Sequence, residues 1–387
     1  MTILSAPELL VGSTIVGPGA VVMEDGLIRE VLDHVPATTS DHVRLTTGLL
    51  TAGMVDLQVN GCFGADFADA SPDEWISARQ RLLRTGITSF LPTLITASIP
   101  ELTRQLDRVV AAAKGEAPFD AARILGVHLE GPFLSPLRAG AHDPALMTDP
   151  TTANLDLLLA DGRGAAISVM TLAPERPGMD EAIRRITAAG IVVSVGHTDA
   201  TAKQVSAAAD AGATMVTHLF NAQRALHQRE PGVPGAALDD PRYRLGLIAD
   251  LHHVAGPVVR LAFAAAPERV VLVTDAVTAT GMPPGTYTLG GQPAVVASPD
   301  EPPRRPDGTL AGSTLTLDRA VRNVVGLGIS RPLALRSATA APADVIGRPD
   351  LGRLSAGAVA DLVWWDKSLS VRGVWLGGAA RTRRSTS

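Results

Sequence analysis

Four apolar runs in this sequence end in residues that could do chemistry together. ILGVHLEGPF (124–133) carries Glu130, VVSVGHTDA (192–200) His197, MVTHLFNA (215–222) His218 and VVLVTDA (270–276) Asp275. Two imidazoles and a carboxylate leave a tetrahedral cation one open position, the pattern of a catalytic rather than a structural site. Such a cation acidifies water and polarises a carbonyl. A further carboxylate must then take the water proton and hand it to the leaving nitrogen, a role that suits Asp275. Each residue alone has an ordinary explanation, a hydrogen-bonded core histidine or an acid capping the next helix. Four separate runs ending this way are hard to assign to accident, and a metal-dependent amide hydrolase is expected. His128 shares a strand face with Glu130 and is either an added ligand or a residue that orients one. Cys62 in NGCFG (60–64) reads as a small buried residue rather than a nucleophile.

Residues on different strands converge only where strand ends share one face. Apolar runs near 53–59, 86–94, 123–129, 165–172, 190–196, 213–218, 245–249 and 269–274 alternate with helix-like segments, among them 73–85, 101–114, 179–189, 201–212, 257–266 and 316–326. That count predicts a (β/α)8 barrel of the TIM type, whose reactive residues gather at the C-terminal ends of its strands. The rival doubly wound sheet usually carries a Gly-rich phosphate turn after its first strand, and none is present. Both termini read as short strands, with a hairpin signal at Asp25-Gly26 inside VVMEDGLIREVL (21–32). We therefore expect residues 1–51 and 352–380 to form one small β-sandwich domain, 52–351 the barrel, and 381–387 a disordered tail. The Pro- and Gly-rich stretch 281–311 reads as an excursion over the active face.

Composition narrows the partners. A net charge of −5 without a basic run argues against nucleic acid, and no stretch is apolar enough to span a membrane. The first residues lack a basic, apolar leader, so a cytoplasmic location is expected. Cys62 is the single cysteine, which excludes an intrachain disulfide or a Cys-rich metal site. Only three lysines occur, Lys114, Lys203 and Lys367, and none stands at a strand end where a carboxylated lysine could bridge two metals. With aromatics at 3%, a sugar substrate would be held by charge and hydrogen bonds more than by stacking.

The motifs GMVDLQVNG (53–61), VHLEGPFLSP (127–136), GHTDA (196–200), THLFNA (217–222), REPG (229–232), LVTDA (272–276) and GTLAGSTLT (308–316), in this order, resemble those of the N-acetylglucosamine-6-phosphate deacetylases of the amidohydrolase superfamily. The resemblance runs from about Gly48 to Asp366. It implies hydrolysis of the acetamide of N-acetylglucosamine 6-phosphate to acetate and glucosamine 6-phosphate. It also implies metal ligation by Glu130, His197 and His218, with Asp275 as general base and then acid. His142, beside Ala141, would help polarise the amide carbonyl. Asn221, Ala222 and the Leu310–Ala311–Gly312 turn would meet the phosphosugar. Arg229 would reach the phosphate in the neighbouring subunit of a homodimer, a task suited to the guanidinium fork.

Three departures from the family pattern bear on these expectations. Gln58 and Asn60 stand where many amidohydrolases have a His-x-His pair, which implies one tightly held ion and a vestigial second position. Zinc is the first candidate, with Fe²⁺ or Mn²⁺ also suited to such a donor set. In ADLHHV (249–254) Leu251 replaces the family's glycine, and counting from Asp250 favours His253 over His252 as the substrate contact. Gln223 replaces a frequent Met, putting a polar side chain near the sugar. Competing readings are a cyclic-amide hydrolase, a deaminase, a deacetylase of N-acetylgalactosamine 6-phosphate, and a catalytically silent binding protein on a retained barrel.

Overall fold

A computed structural model describes residues 1–37, 41–115 and 119–383. Eight parallel strands form the expected barrel: β1 (Met54–Val59), β2 (Ile87–Ile95), β3 (Val127–Glu130), β4 (Ile167–Leu172), β5 (Val192–Val195), β6 (Met215–Val216), β7 (Arg244–Ile248) and β8 (Val270–Val273). They pair in sequence order from β1 to β8. The ring closes through a parallel bridge between Val59 and Ala276, and through the Asp275 N–H donating to the Gln58 carbonyl at 2.9 Å. Seven crossovers carry helices outside the ring, beginning with Pro72–Arg84, and an eighth helix, Leu317–Gly326, follows β8. The first shows why the chain turns helical there: Ser71 and Glu74 form a capping box around Pro72, and its buried face holds Trp75, Ala78, Leu82 and Leu83.

The chain ends build two sheets. One orders Leu27–Leu32, Gly19–Glu24, Thr2–Ala6 and His42–Arg44; the other orders Ala379–Arg383, Val371–Leu376, Leu362–Trp365, Leu49–Ala52, Glu8–Val11 and Thr14–Val16. The run LVWW explains the sandwich. Leu362 and Trp364 enter the core between the two sheets, while Val363 and Trp365 join the barrel core on the other face. A strand buried on both sides has no polar face, hence the unbroken apolar run. The Asp25-Gly26 hairpin forms as expected, with both residues left-handed (φ 51° and 79°) as a tight two-residue turn requires. The tail is a correction: Ala379–Arg383 pairs with Val371–Leu376, so order extends three residues past the expected end at 380. The remainder, 384–387, lies outside the described residues.

Within 281–311 the strands Gly285–Leu289 and Gln292–Val296 make a hairpin around Gly290 and Gly291. Leu289, Ala294 and Val296 pack on Val277, Ala279 and Ala311, with Ile95 and Ala141 against them. This small core seats the hairpin beside the C-terminal mouth of the barrel.

Candidate active site

Glu130 is the last residue of β3, but the other three reactive residues lie two positions past their strands. His197, His218 and Asp275 follow Val195, Val216 and Val273, and all three are left-handed, with φ of 46°, 30° and 51°. The strands at β5 and β6 are accordingly shorter than the apolar runs, because such a φ ends the pleat. Non-glycine residues rarely hold this conformation, and where they do the surrounding structure must fix it.

The three expected ligands meet. His218 Nε2 lies 3.0 Å from Glu130 Oε1 and 3.1 Å from His197 Nε2, and His197 Nε2 lies 3.2 Å from Glu130 Oε1. All three are buried, and among the described residues they form the one group able to hold a metal. The His197 tautomer suits ligation: Nδ1 faces the Arg138 carbonyl at 3.0 Å, which can only accept, so the proton sits there and Nε2 offers a lone pair. The triangle edges are near the roughly 3.3 Å that separates ligands on a tetrahedral ion with bonds of about 2.0–2.1 Å. Burial pushes the Glu130 carboxyl up, but hydrogen bonds and charge from His197 and His218 more than reverse this and hold it well below the usual range. A negative oxygen between two imidazoles therefore fits a divalent cation.

Asp275 stands across from this triangle. Its Oδ1 accepts from Asn60 Nδ2 at 2.6 Å and from Gln58 Nε2 at 3.2 Å, which leaves Oδ2 to take a proton. Burial, then the charge of Glu130, raises its pKa to about 6. Gln58 Nε2 also reaches Glu130 Oε1 at 3.3 Å, so Gln58 and Asn60 both present N–H donors to the acids.

His142 is set by its neighbour. The Thr96 backbone N–H donates to His142 Nδ1 at 3.2 Å, making that nitrogen an acceptor and placing the ring proton on Nε2. Nε2 is 3.9 Å from Glu130 Oε2, on the side of the metal triangle. Burial and the nearby His197 lower its pKa well below the ordinary imidazole value, so it stays neutral and can donate. His128 is not a ligand but a support. Its Nδ1 donates to the Leu57 carbonyl at 3.0 Å and its Nε2 accepts from Thr171 Oγ1 at 2.7 Å, which in turn meets Thr217 Oγ1 at 2.6 Å. Burial brings its pKa down to about 4.

A cavity of about 380 Å³ opens above these groups. Asn60, Ala141, His142, Asn221, Ala222, His253, Leu310 and Gly312 line it together with Glu130, His197, His218 and Asp275. Ile95, Ile248 and Leu289 supply apolar walls, and Arg138 a cation. Ala311 turns away into the hairpin core, Gln58 lies beneath the cavity floor, and Arg229 is exposed and outside the lining. Of the two adjacent histidines, His253 is the one that faces in. Its Nδ1 meets Asp250 Oδ2 at 2.6 Å, while His252 is exposed. Leu251 holds φ 69°, a left-handed state that glycine adopts without strain and a leucine rarely does. Gln223 corrects an expectation, since it is buried against backbone and does not line the cavity.

Thr96, Arg138 and Asp199 were not singled out from sequence. Asp199 Oδ1 takes Arg138 Nε and Nη2 at 2.9 and 2.8 Å and its Oδ2 meets Arg224, fixing the segment whose carbonyl holds His197. The Asp in GHTDA and the Arg just before AGAH were the available signals.

The family model described as amidohydrolase family matches residues 49–381. N-acetylgalactosamine-6-phosphate deacetylase of Escherichia coli O157:H7 is 38% identical over 356 residues, 92% of each chain. N-acetylglucosamine-6-phosphate deacetylase of Bos taurus is 37% identical over 386 residues, covering 93% of this chain and 92% of its own. A solved mutant N-acetyl-D-glucosamine-6-phosphate deacetylase of Mycobacterium smegmatis, in complex with N-acetyl-D-glucosamine-6-phosphate, superposes with a TM-score of 0.92 at 37% identity, covering 98% of this chain and 99% of that one. With the buried Glu130–His197–His218 group, the opposing acid and matches of this extent, the chain belongs to the amidohydrolase family.

Proposed function

We propose that this chain hydrolyses the acetamide of N-acetylglucosamine 6-phosphate, releasing acetate and glucosamine 6-phosphate. The observation that carries the reading is the buried Glu130–His197–His218 triangle facing Asp275 across one cavity. The family likeness supplies the substrate class, through relatives that are deacetylases of 6-phosphorylated amino sugars. Glu130, His197 and His218 would hold a divalent cation, zinc being the best match to two imidazoles and a carboxylate, which would acidify water and polarise the amide carbonyl. Asp275 Oδ2 takes the water proton and passes it to the departing nitrogen, so the sugar leaves as a neutral amine. His142 Nε2–H donates to the amide oxygen as it gains charge, a role that needs the neutral tautomer Thr96 imposes. Asn221, Ala222, His253 and the Leu310–Gly312 turn hold the phosphosugar. Arg229, exposed on its own chain, reaches the phosphate of the neighbouring site in a homodimer. Gln58 and Asn60 keep the second metal position filled with donors, so one ion is tightly held. A charged sugar phosphate does not cross a bilayer unaided, which supports action in the cytoplasm.

A second substrate, N-acetylgalactosamine 6-phosphate, is favoured by the E. coli relative. Acetate release from both N-acetylated sugars, each with and without the 6-phosphate, separates the readings. The proposal expects the highest kcat/KM for the phosphorylated gluco epimer. A preference for the galacto epimer would select the second substrate. No acetate from any of them, with the metal-loaded chain, would reject both.

A further inference from the structure

Gln223 follows Asn221 and Ala222, which line the cavity, yet it is 4% exposed and turned from the cavity itself. Its amide spans the turn that bears His218. Oε1 accepts from the Phe220 N–H at 3.0 Å, and Nε2 donates to the Thr217 carbonyl at 2.8 Å. This turn is left-handed at His218, Phe220 and Ala222 (φ 30°, 78° and 50°), a series that regular ladder hydrogen bonds cannot hold. The backbone around Gln223 makes a second link. The Thr198 N–H donates to the Ala222 carbonyl at 3.1 Å and the Arg224 N–H to the Thr198 carbonyl at 3.0 Å, pairing Gln223 with the residue after His197. One residue thus joins both histidine-bearing loops.

We propose that Gln223 is a positioning residue of the metal site, its amide stapling the His218 turn so that Nε2 is aimed at Glu130 and His197. The inference rests on the reading of these three residues as ligands. Because Gln223 does not meet the cavity, the choice between sugar epimers does not depend on it.

Gln223→Met keeps length and volume while removing donor and acceptor together. Tyr243→Phe is the control, deleting a buried bond from the Tyr243 hydroxyl to the Val205 carbonyl (2.7 Å) outside the barrel ring. For both full-length variants, zinc release to excess chelator and amide exchange across 217–222 are followed beside wild type. Gln223→Met is expected to release zinc about 10–100-fold faster, the usual effect of losing an outer support of a ligand, to exchange the Phe220 amide faster and to keep the epimer ratio. Tyr243→Phe is expected to melt earlier but release zinc at the wild-type rate. Wild-type release from Gln223→Met would overturn the proposal, as would equal acceleration in both variants or an altered epimer ratio. A wild-type chain that takes up no zinc would instead defeat the ligand reading, and Phe220 exchange would still decide whether the staple exists.

Discussion

Asp56 sits fully buried in the seam between β1 and β8, and replacing it with Asn is expected to stabilise the protein at alkaline pH. Its Oδ1 accepts from the backbone N–H groups of Gln58 and Thr274 at 3.1 and 3.3 Å, and its Oδ2 from Thr274 Oγ1 at 2.7 Å. Burial nevertheless drives its pKa from 3.8 to about 7, the hydrogen bonds offsetting this only in part. The folded state therefore binds the proton more tightly than the unfolded chain does. The stability this contributes is complete below the unfolded value and is lost as pH rises through about 7. At ~1.4 kcal/mol per pH unit, the loss is about 4 kcal/mol. Asn imitates the protonated acid. Its Oδ1 can keep both backbone donors, and Thr274 Oγ1 can accept from the new amide while donating to the Gln58 carbonyl at 3.2 Å. Paired urea melts of Asp56→Asn and wild type, with and without chelator, should favour the variant by up to about 4 kcal/mol at pH 8. The gap should shrink to under half of that at pH 5. A variant less stable than wild type at pH 8, or a gap that ignores pH, would show that the ionised carboxylate is itself a favourable part of the seam.

Asp275→Asn should retain metal and substrate binding, because Asn60 and Gln58 can still donate to its oxygen, while turnover measured as acetate release falls about 10²–10⁴-fold. Turnover close to wild type would remove Asp275 from the proton path. Arg229→Ala should raise KM for the phosphorylated sugar and leave the unphosphorylated one nearly unchanged. Equal effects on the two would detach Arg229 from the phosphate.

Eight strands and the four reactive residues were legible in the sequence because barrel strands buried on both faces read as apolar runs, and a polar residue ending such a run stands out. The two-faced LVWW strand and the Asp25-Gly26 turn were readable on the same grounds. What escaped was anything decided by side chains meeting across loops. Gln223 looked like a sugar contact because it adjoins Asn221 and Ala222, but the left-handed turn swings it onto backbone. Thr96 gave no sign that its N–H would choose the tautomer of a histidine 46 residues away. The order of Arg381 to Arg383 was missed because a polar edge strand has the composition of a tail.

The left-handed conformations at His197, His218 and Asp275 bear on transplanting this chemistry. A designer who copied the four side chains onto the strand ends of another eight-stranded barrel would give them ordinary pleated backbone, and their tips would diverge. The unit to move is larger than the residues: it includes the loops, the amide donors of Gln58 and Asn60, and the Thr198–Gln223 pairing that holds the backbone in its costly shape.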